Sequence, residues 1–253
     1  MKTLRFLVGA VAAVLLLAVI SACDKVKNDY GVVVLQKKLV QIVVSGYDDN
    51  VYNFHYDKDG KLFFVTGDEN NVIAVYDWSK NRIGEARANN DGGYRVNSLN
   101  DNMVTRIDME GGHFEFTYEA GRLKKENTQL EYEERFRKRK VSASYEYEWK
   151  GDKLLNRKAS FGGKNTYKYD GEDCNGFMPP IFSGERDFLK WVHPELFGIR
   201  TSEMPDTFMT TNNNGVTYSY LYKYYDDGYV MEATALFYVD DSYYAQTYTF
   251  IWE

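Results

Sequence analysis

Val51-Tyr52-Asn53-Phe54-His55-Tyr56-Asp57-Lys58-Asp59-Gly60-Lys61-Leu62-Phe63-Phe64-Val65 decides how this chain is read. Tyr52, Phe54 and Tyr56 alternate with Asn53 and His55 at period two, the spacing of a strand with one apolar face. Asp57 to Gly60 supplies residue types that accept a tight turn, and Leu62 to Val65 resumes the apolar run. The stretch reads as one β-hairpin.

The unit recurs. Val72 to Trp78 leads through Lys80-Asn81 to Ile83, and Tyr94 to Leu99 leads through Asn100-Asp101-Asn102 to Val104. Phe114-Glu-Phe116-Thr-Tyr118 precedes Ala120-Gly121, and Tyr145-Glu-Tyr147-Glu-Trp149 precedes Lys150-Gly151. Tyr167-Lys-Tyr169 meets Asp170-Gly171, and Tyr220, Tyr222 and Tyr224 meet Asp226-Asp227-Gly228. The turn positions Gly60, Asn81, Asn102 and Gly121 are 21, 21 and 19 residues apart, and Gly151 and Gly171 are 20 apart. Two strands of ordinary length with their turns fill such an interval. The 22 Tyr and 15 Phe against 4 Pro suit pleated, half-buried surfaces. The expected fold is all-β, an antiparallel meander forming a strongly curved sheet or partial barrel, with one short covering helix.

Two segments depart from the pattern. Glu131 to Lys140 is a mixed charge run, read as two long solvated strands or as a short helix joining Tyr132 and Phe136. Cys174 to Phe208 holds the helix. Ser183 is placed to cap it, Glu185 and Asp187 fall in its first turn, and Pro194 and Gly198 end it. The spacing predicts a helix over 186–191 with Phe188, Leu189 and Val192 turned toward the sheet.

The first residues speak of location. Lys2 and Arg5 precede an uninterrupted apolar run from Phe6 to Ile20, followed by Ser21-Ala22-Cys23. This is the anatomy of a secretory signal peptide, and the small pair before Cys23 resembles a bacterial lipobox. Residues 1–22 are therefore expected to be removed, with lipid placed on Cys23. Residues 23–31 form a polar tether and residues 32–253 one β-rich domain. The apolar run is short for a transmembrane anchor. Of 31 basic residues, Lys2 and Arg5 leave with the leader, so 29 face 37 acidic ones, a formal charge of −8. That balance argues against nucleic-acid partners and against binding to an anionic membrane surface. With Cys23 lipidated, Cys174 has no intrachain disulfide partner and reads as a small buried hydrophobe.

Motifs of established chemistry are absent from the sequence: no His-Glu-x-x-His, no Gly-x-Ser-x-Gly and no phosphate loop. His55, His113 and His193 are far apart in sequence. Asp57-x-Asp59-Gly60 is a fragment of a calcium loop without the later ligands, and a turn needs the same residues. Asp48-Asp49, Asp226-Asp227 and Asp240-Asp241 are acidic pairs at expected turns. No metal or cofactor is expected. Tyr220, Tyr222 and Tyr224 share one strand face and are the candidate ligand contacts, core packing being the alternative.

The ordered set of motifs resembles a known family. Its parts are the lipobox, Tyr56-Asp57 to Leu62, Trp149 to Leu154, His193-Pro194-Glu195-Leu196-Phe197-Gly198 and Asp227-Gly228-Tyr229-Val230. Together they look like uncharacterised lipoproteins of gut-dwelling Bacteroidota with a porin-like fold. The interval from Asn81 to Asn102 departs from the Tyr-Asp-Gly pattern. A looser likeness is to the tyrosine–aspartate repeats of bacterial surface shells. The resemblance implies a cell-envelope protein held to the membrane, the outer one at its periplasmic or surface face, and transfers no catalytic residue. The leading function is a non-catalytic binding or interaction module for a glycan, a peptide or an envelope protein. Rivals are an envelope hydrolase with paired carboxylates, an apolar-ligand carrier and an outer-membrane barrel. Against a complete lipid-facing band stand Asn53, His55, Glu115, Glu146, Glu148 and Lys168, all expected to point outward.

Overall fold

A computed structural model describes residues 37–47, 49–88, 93–134, 137–169, 188–201, 203–210, 216–239 and 242–253. Sixteen strands follow one another along these residues. They are β1 (Leu39–Gly46), β2 (Asn50–Tyr56), β3 (Leu62–Thr66), β4 (Val72–Ser79), β5 (Arg82–Arg87), β6 (Tyr94–Asn100), β7 (Met103–Met109) and β8 (Gly112–Glu119). Then come β9 (Arg122–Glu134), β10 (Arg137–Lys150), β11 (Lys153–Ala159), β12 (Lys164–Lys168), β13 (Thr207–Thr210), β14 (Thr217–Tyr224), β15 (Val230–Val239) and β16 (Ser242–Trp252). Each pairs antiparallel with its sequence neighbours, as the meander predicts. The strong curvature carries all the way round, because β1 also pairs with β16 through Ile42↔Phe250 and Val44↔Tyr248. Closure removes the exposed edges that an open sheet would present.

The expected hairpins at Gly60 and Gly151 are present. Phe54 faces Val65 and Tyr56 faces Leu62, while Tyr145 faces Ala159 and Trp149 faces Leu154. Residues 131–134 and 137–140 of the charge run are paired strands, with Lys140 opposite Glu131, so the helical alternative for them is overturned; Phe136 lies outside the described residues. These residues pair with each other and continue the long β9–β10 ladder beyond the ends of β8 and β11.

One device repeats at the end of the barrel where Leu39 begins and Trp252 finishes, here called the proximal end. Six strand pairs shift register there, five just after a hairpin turn and one at the β1–β16 closure, leaving one extra residue: Phe63, Thr105, Lys124, Leu155 or Met231, and Val40 at the closure. Such β-bulges bend and twist a strand and take a backbone group out of the ladder. The residue before each extra one is Leu39, Leu62, Val104, Leu123, Leu154 or Val230, and its carbonyl oxygen is bonded by an aromatic side chain of a neighbouring segment. Tyr56 donates to Leu39 at 2.6 Å, Trp78 to Leu62 at 2.7 Å and Trp149 to Leu123 at 2.7 Å. Tyr169 donates to Leu154 at 2.9 Å, Trp252 to Val230 at 2.8 Å, and Tyr118 to Val104. A buried carbonyl without a partner is costly, so bulge and aromatic donor form one unit. The unit accounts for the spacing of Tyr or Trp against Leu or Val along the chain. At β6 the place is taken by Leu99, and Asn97 bonds the Ile83 carbonyl at 3.1 Å instead.

Helix α1 (Phe188–Val192) and a 3-10 turn (Pro194–Phe197) lie between β12 and β13. Phe188, Leu189, Trp191 and Val192 are all buried, as the 3.6-residue spacing predicts for three of them. Arg186, Asp187, the expected cap Ser183 and Pro179-Pro180 lie outside the described residues.

Candidate binding site

The segment from Phe188 to Pro205 is a plug at the proximal end. Phe188 packs on Tyr52 and Phe54 of β2, and Trp191 on Tyr52. His193 meets Trp78 of β4, and Phe197 meets Phe116 of β8. Gly198 ends the 3-10 turn with φ +57, and its carbonyl accepts a bond from the Leu123 N–H at 3.1 Å. A Cβ there would stand 2.6 Å from the Gly121 carbonyl, so only glycine permits both the turn and the approach. Arg122 bonds the Arg200 carbonyl, Lys153 pairs with Glu203, and Tyr222 donates to the Pro205 carbonyl at 2.7 Å. The plug is thus tied to walls on opposite sides. The His193-Pro194-Glu195-Leu196-Phe197-Gly198 motif is its keystone, with His193 Nδ1 3.0 Å from Glu195 Oε1.

Two polar clusters face the interior. On β4 and β5, Glu85 is 2% exposed, accepts from the Tyr76 hydroxyl at 3.3 Å and pairs with Arg87. On β9–β12, Glu126 accepts from Tyr147 at 2.9 Å and lies 3.9 Å from Arg157. The Arg157 guanidinium sits 3.8 Å over the Tyr145 ring. Burial opposes its charge, but Tyr147 and Glu126 more than offset this, and its pKa is raised. Burial, then the Glu126 carboxylate, pushes the Tyr147 phenol well up, and burial pushes Tyr167 up to about 12. These phenols are donors at neutral pH, not bases. Each of Glu85, Glu126 and Glu203 is already held by a cation. Among the described residues no three His, Cys, Asp or Glu side chains converge as a metal site would require. The Asp57 carboxylate serves its turn, accepting from the Asp59 and Lys61 N–H groups at 2.9 Å each. Asp227 pairs with Lys37, and Asp49 accepts from the Gly46 N–H at 3.1 Å. Asp48, Asp240, Asp241 and Cys174 lie outside the described residues.

The tyrosines singled out in the sequence form a ladder on the inner face of β14. Successive ring centroids of Tyr218, Tyr220, Tyr222 and Tyr224 are 6.5, 6.0 and 6.2 Å apart. Tyr220 is buried, Tyr222 half-buried and Tyr224 exposed. At its distal end the ladder continues into an aromatic group that sequence reading missed. Tyr218 meets Phe237 at 5.2 Å, Phe237 stacks on Tyr244 at 5.6 Å, and Tyr47 packs edge-on to Tyr244 at 5.1 Å. Tyr47 is 61% exposed. Its place after β1 put it in a loop, where alternation carries no signal. A separate cleft of about 340 Å³ lies beside β8–β10, lined by His113, Gln129, Glu131, Lys140 and Ser142 among others. Cys23, the expected lipidation site, lies outside the described residues.

The sixteen-stranded antiparallel barrel is a porin-like fold. The chain is similar to a porin-like protein from Bacteroides uniformis ATCC 8492, with TM-score 0.63 at 13% identity over 85% of this chain and 96% of that one. It is similar also to a porin-like protein from Bacteroides vulgatus ATCC 8482, with TM-score 0.61 at 10% identity over 86% and 99%. At these identities the likeness is one of fold. No family model and no curated protein matches the chain.

Proposed function

We propose that this chain is a lipid-anchored cell-envelope protein that binds an extended ligand, glycan or peptide, and does not catalyse. The anchor is Cys23, after Ile20-Ser21-Ala22, with residues 1–22 removed and residues 23–31 as tether. The likeness to porin-like proteins of Bacteroides supports an envelope setting. The observation that carries the binding reading is the distal aromatic group of Tyr47, Phe237 and Tyr244, which continues the Tyr220, Tyr222, Tyr224 ladder. Flat rings with polar tips suit sugars and peptides at a wet surface. The buried carboxylates support the same reading, since each is occupied by an internal partner.

The test is a glycan and peptide array probed with residues 24–253. A hit should weaken at least tenfold in Tyr47→Ala/Tyr244→Ala, a loss of about 1.4 kcal/mol or more. Turnover of the bound ligand, abolished by one carboxylate substitution such as Glu126→Gln, would replace this reading with the envelope hydrolase. Mass analysis of the native N-terminal peptide tests the anchor, and an unmodified Cys23 would refute it.

A further inference from the structure

The barrel wall is two-sided. β13, β16, β1, β2 and β3 contain no Asp, Glu, Lys or Arg. β9 and β10, on the opposite side, carry seven each. The register defines the outer row of the uncharged side: Leu236↔Ala245, Thr249↔Val43, Val43↔Val51 and Phe64↔Val75. Large apolar groups stand out from it, with Leu221 62%, Tyr243 87% and Phe63 51% exposed. The polar side chains within it satisfy one another. Gln41 donates to Asn53 at 2.6 Å, Asn53 to the Gly67 carbonyl at 3.3 Å, and Thr234 meets Thr247 at 3.1 Å. His55 lies 3.3 Å from the Thr66 hydroxyl and stacks on Phe64 at 4.1 Å. β14 and β15, which lie between β13 and β16, add one charge each, Lys223 and Glu232, which pair with each other, and β4 beside β3 adds Asp77. The opposite wall meets water with ion pairs such as Arg106–Glu115 and Lys158–Glu148.

We propose that this uncharged wall lies against the lipid bilayer, with the barrel resting on its side and not crossing the membrane. The proposal rests on the lipid anchor at Cys23. β1, where the described chain enters the barrel, is the middle of the uncharged wall. Cys23 stands 16 residues before Leu39, a reach of at most roughly 58 Å, so the anchor tethers the barrel to the membrane through this side. An apolar surface whose polar groups are paired internally loses little on leaving water. Crossing does not fit. β3 has five residues, about 17 Å of strand, against an apolar band of about 25 Å. The charged wall would also enter the hydrocarbon.

The test holds residues 24–253, in a Cys174→Ser background, by an N-terminal hexahistidine tag on phosphatidylcholine vesicles containing nickel-chelating lipid. This arrangement is independent of native lipidation. An environment-sensitive fluorophore is placed at Leu221→Cys or, on the opposite wall, at Thr117→Cys. The Leu221 probe should shift to the blue and be quenched several-fold more by spin-labelled lipid than the Thr117 probe, with no dependence on salt. Equal quenching at both sites, or none, overturns the proposal. A blue shift at Leu221 without quenching by lipid also overturns it, since another protein surface then covers the wall. An unmodified native Cys23 alongside preferential quenching at Leu221 would remove the anchor and leave the membrane-facing wall standing.

Discussion

Raising the pH above 10 should unfold the barrel cooperatively, and the cause should be its buried phenols. Burial pushes up the pKa of Tyr56, Tyr118, Tyr147, Tyr167, Tyr169 and Tyr220, and it is the leading cause for each. Three of them, Tyr56, Tyr118 and Tyr169, donate to bulge carbonyls, so ionisation removes a donor and sets a charge against an oxygen. In the unfolded chain each ionises near 10. Above that pH the folded state holds protons the unfolded state has lost. Stability is therefore intact below pH 10 and falls as pH climbs toward the folded values. A tenfold difference in proton affinity between folded and unfolded chain is worth about 1.4 kcal/mol. Tyr167, pushed up to about 12, therefore accounts for a loss of about 3 kcal/mol between pH 10 and 12. The other five act in the same direction, against a total stability of about 5–15 kcal/mol for a domain. The transition should fall within that window. Tyrosinate absorbance and far-ultraviolet circular dichroism, followed together, should show a block of phenols ionising as the sheet signal is lost. Smooth ionisation of all tyrosines with the sheet signal intact through pH 12 would refute the reasoning.

Two further outcomes test the bulge-and-donor units and the plug. Trp149→Phe keeps most of the ring and removes the donor to Leu123, and should cost about 1–3 kcal/mol by urea denaturation; Trp149→Ala should cost about 3–5 kcal/mol. If Trp149→Phe leaves the denaturation midpoint unmoved, water serves that carbonyl equally well. Leu189 is fully buried in the plug, so Leu189→Ala should cost about 2–5 kcal/mol and Leu189→Asp should prevent folding; a wild-type melting curve for Leu189→Asp would show that the plug does not pack.

The hairpins were legible because aromatic alternation and turn residues report local geometry directly. The parity of side chains after each turn was not. In Leu62-Phe63-Phe64-Val65 the bulge inserts Phe63, so Leu62 and Val65 both point inward. The same insertion puts Glu126 inward three residues after Leu123, and Arg157 three after Leu154. Period-two reading would place both on the water side, which is why the inner ion cluster escaped notice. The missed signal was the regular offset between each apolar residue after a turn and the next one. Glu85 kept parity with Ile83 and was readable as an inward charge, but its partner Arg87 made sense only once the wall had closed. Closure itself depends on β1 meeting β16 across the whole chain, and no local pattern reports that. The outward placement of Asn53, His55, Glu115, Glu146, Glu148 and Lys168 follows from the strand registers, since those strands hold parity beyond the bulge.

A sixteen-stranded barrel would ordinarily enclose a water-filled lumen. Here the proximal end is spent on structure instead. Its aromatic donors satisfy bulge carbonyls, and the plug from Phe188 to Pro205 is anchored to β2, β4, β8, β9, β11 and β14. Six bulges at one end supply the curvature that closes the barrel. Tyr47, Phe237 and Tyr244 gather at the other end. Under the binding reading proposed above, ligand contacts there could vary without disturbing the bulge-and-donor units that hold the barrel shut.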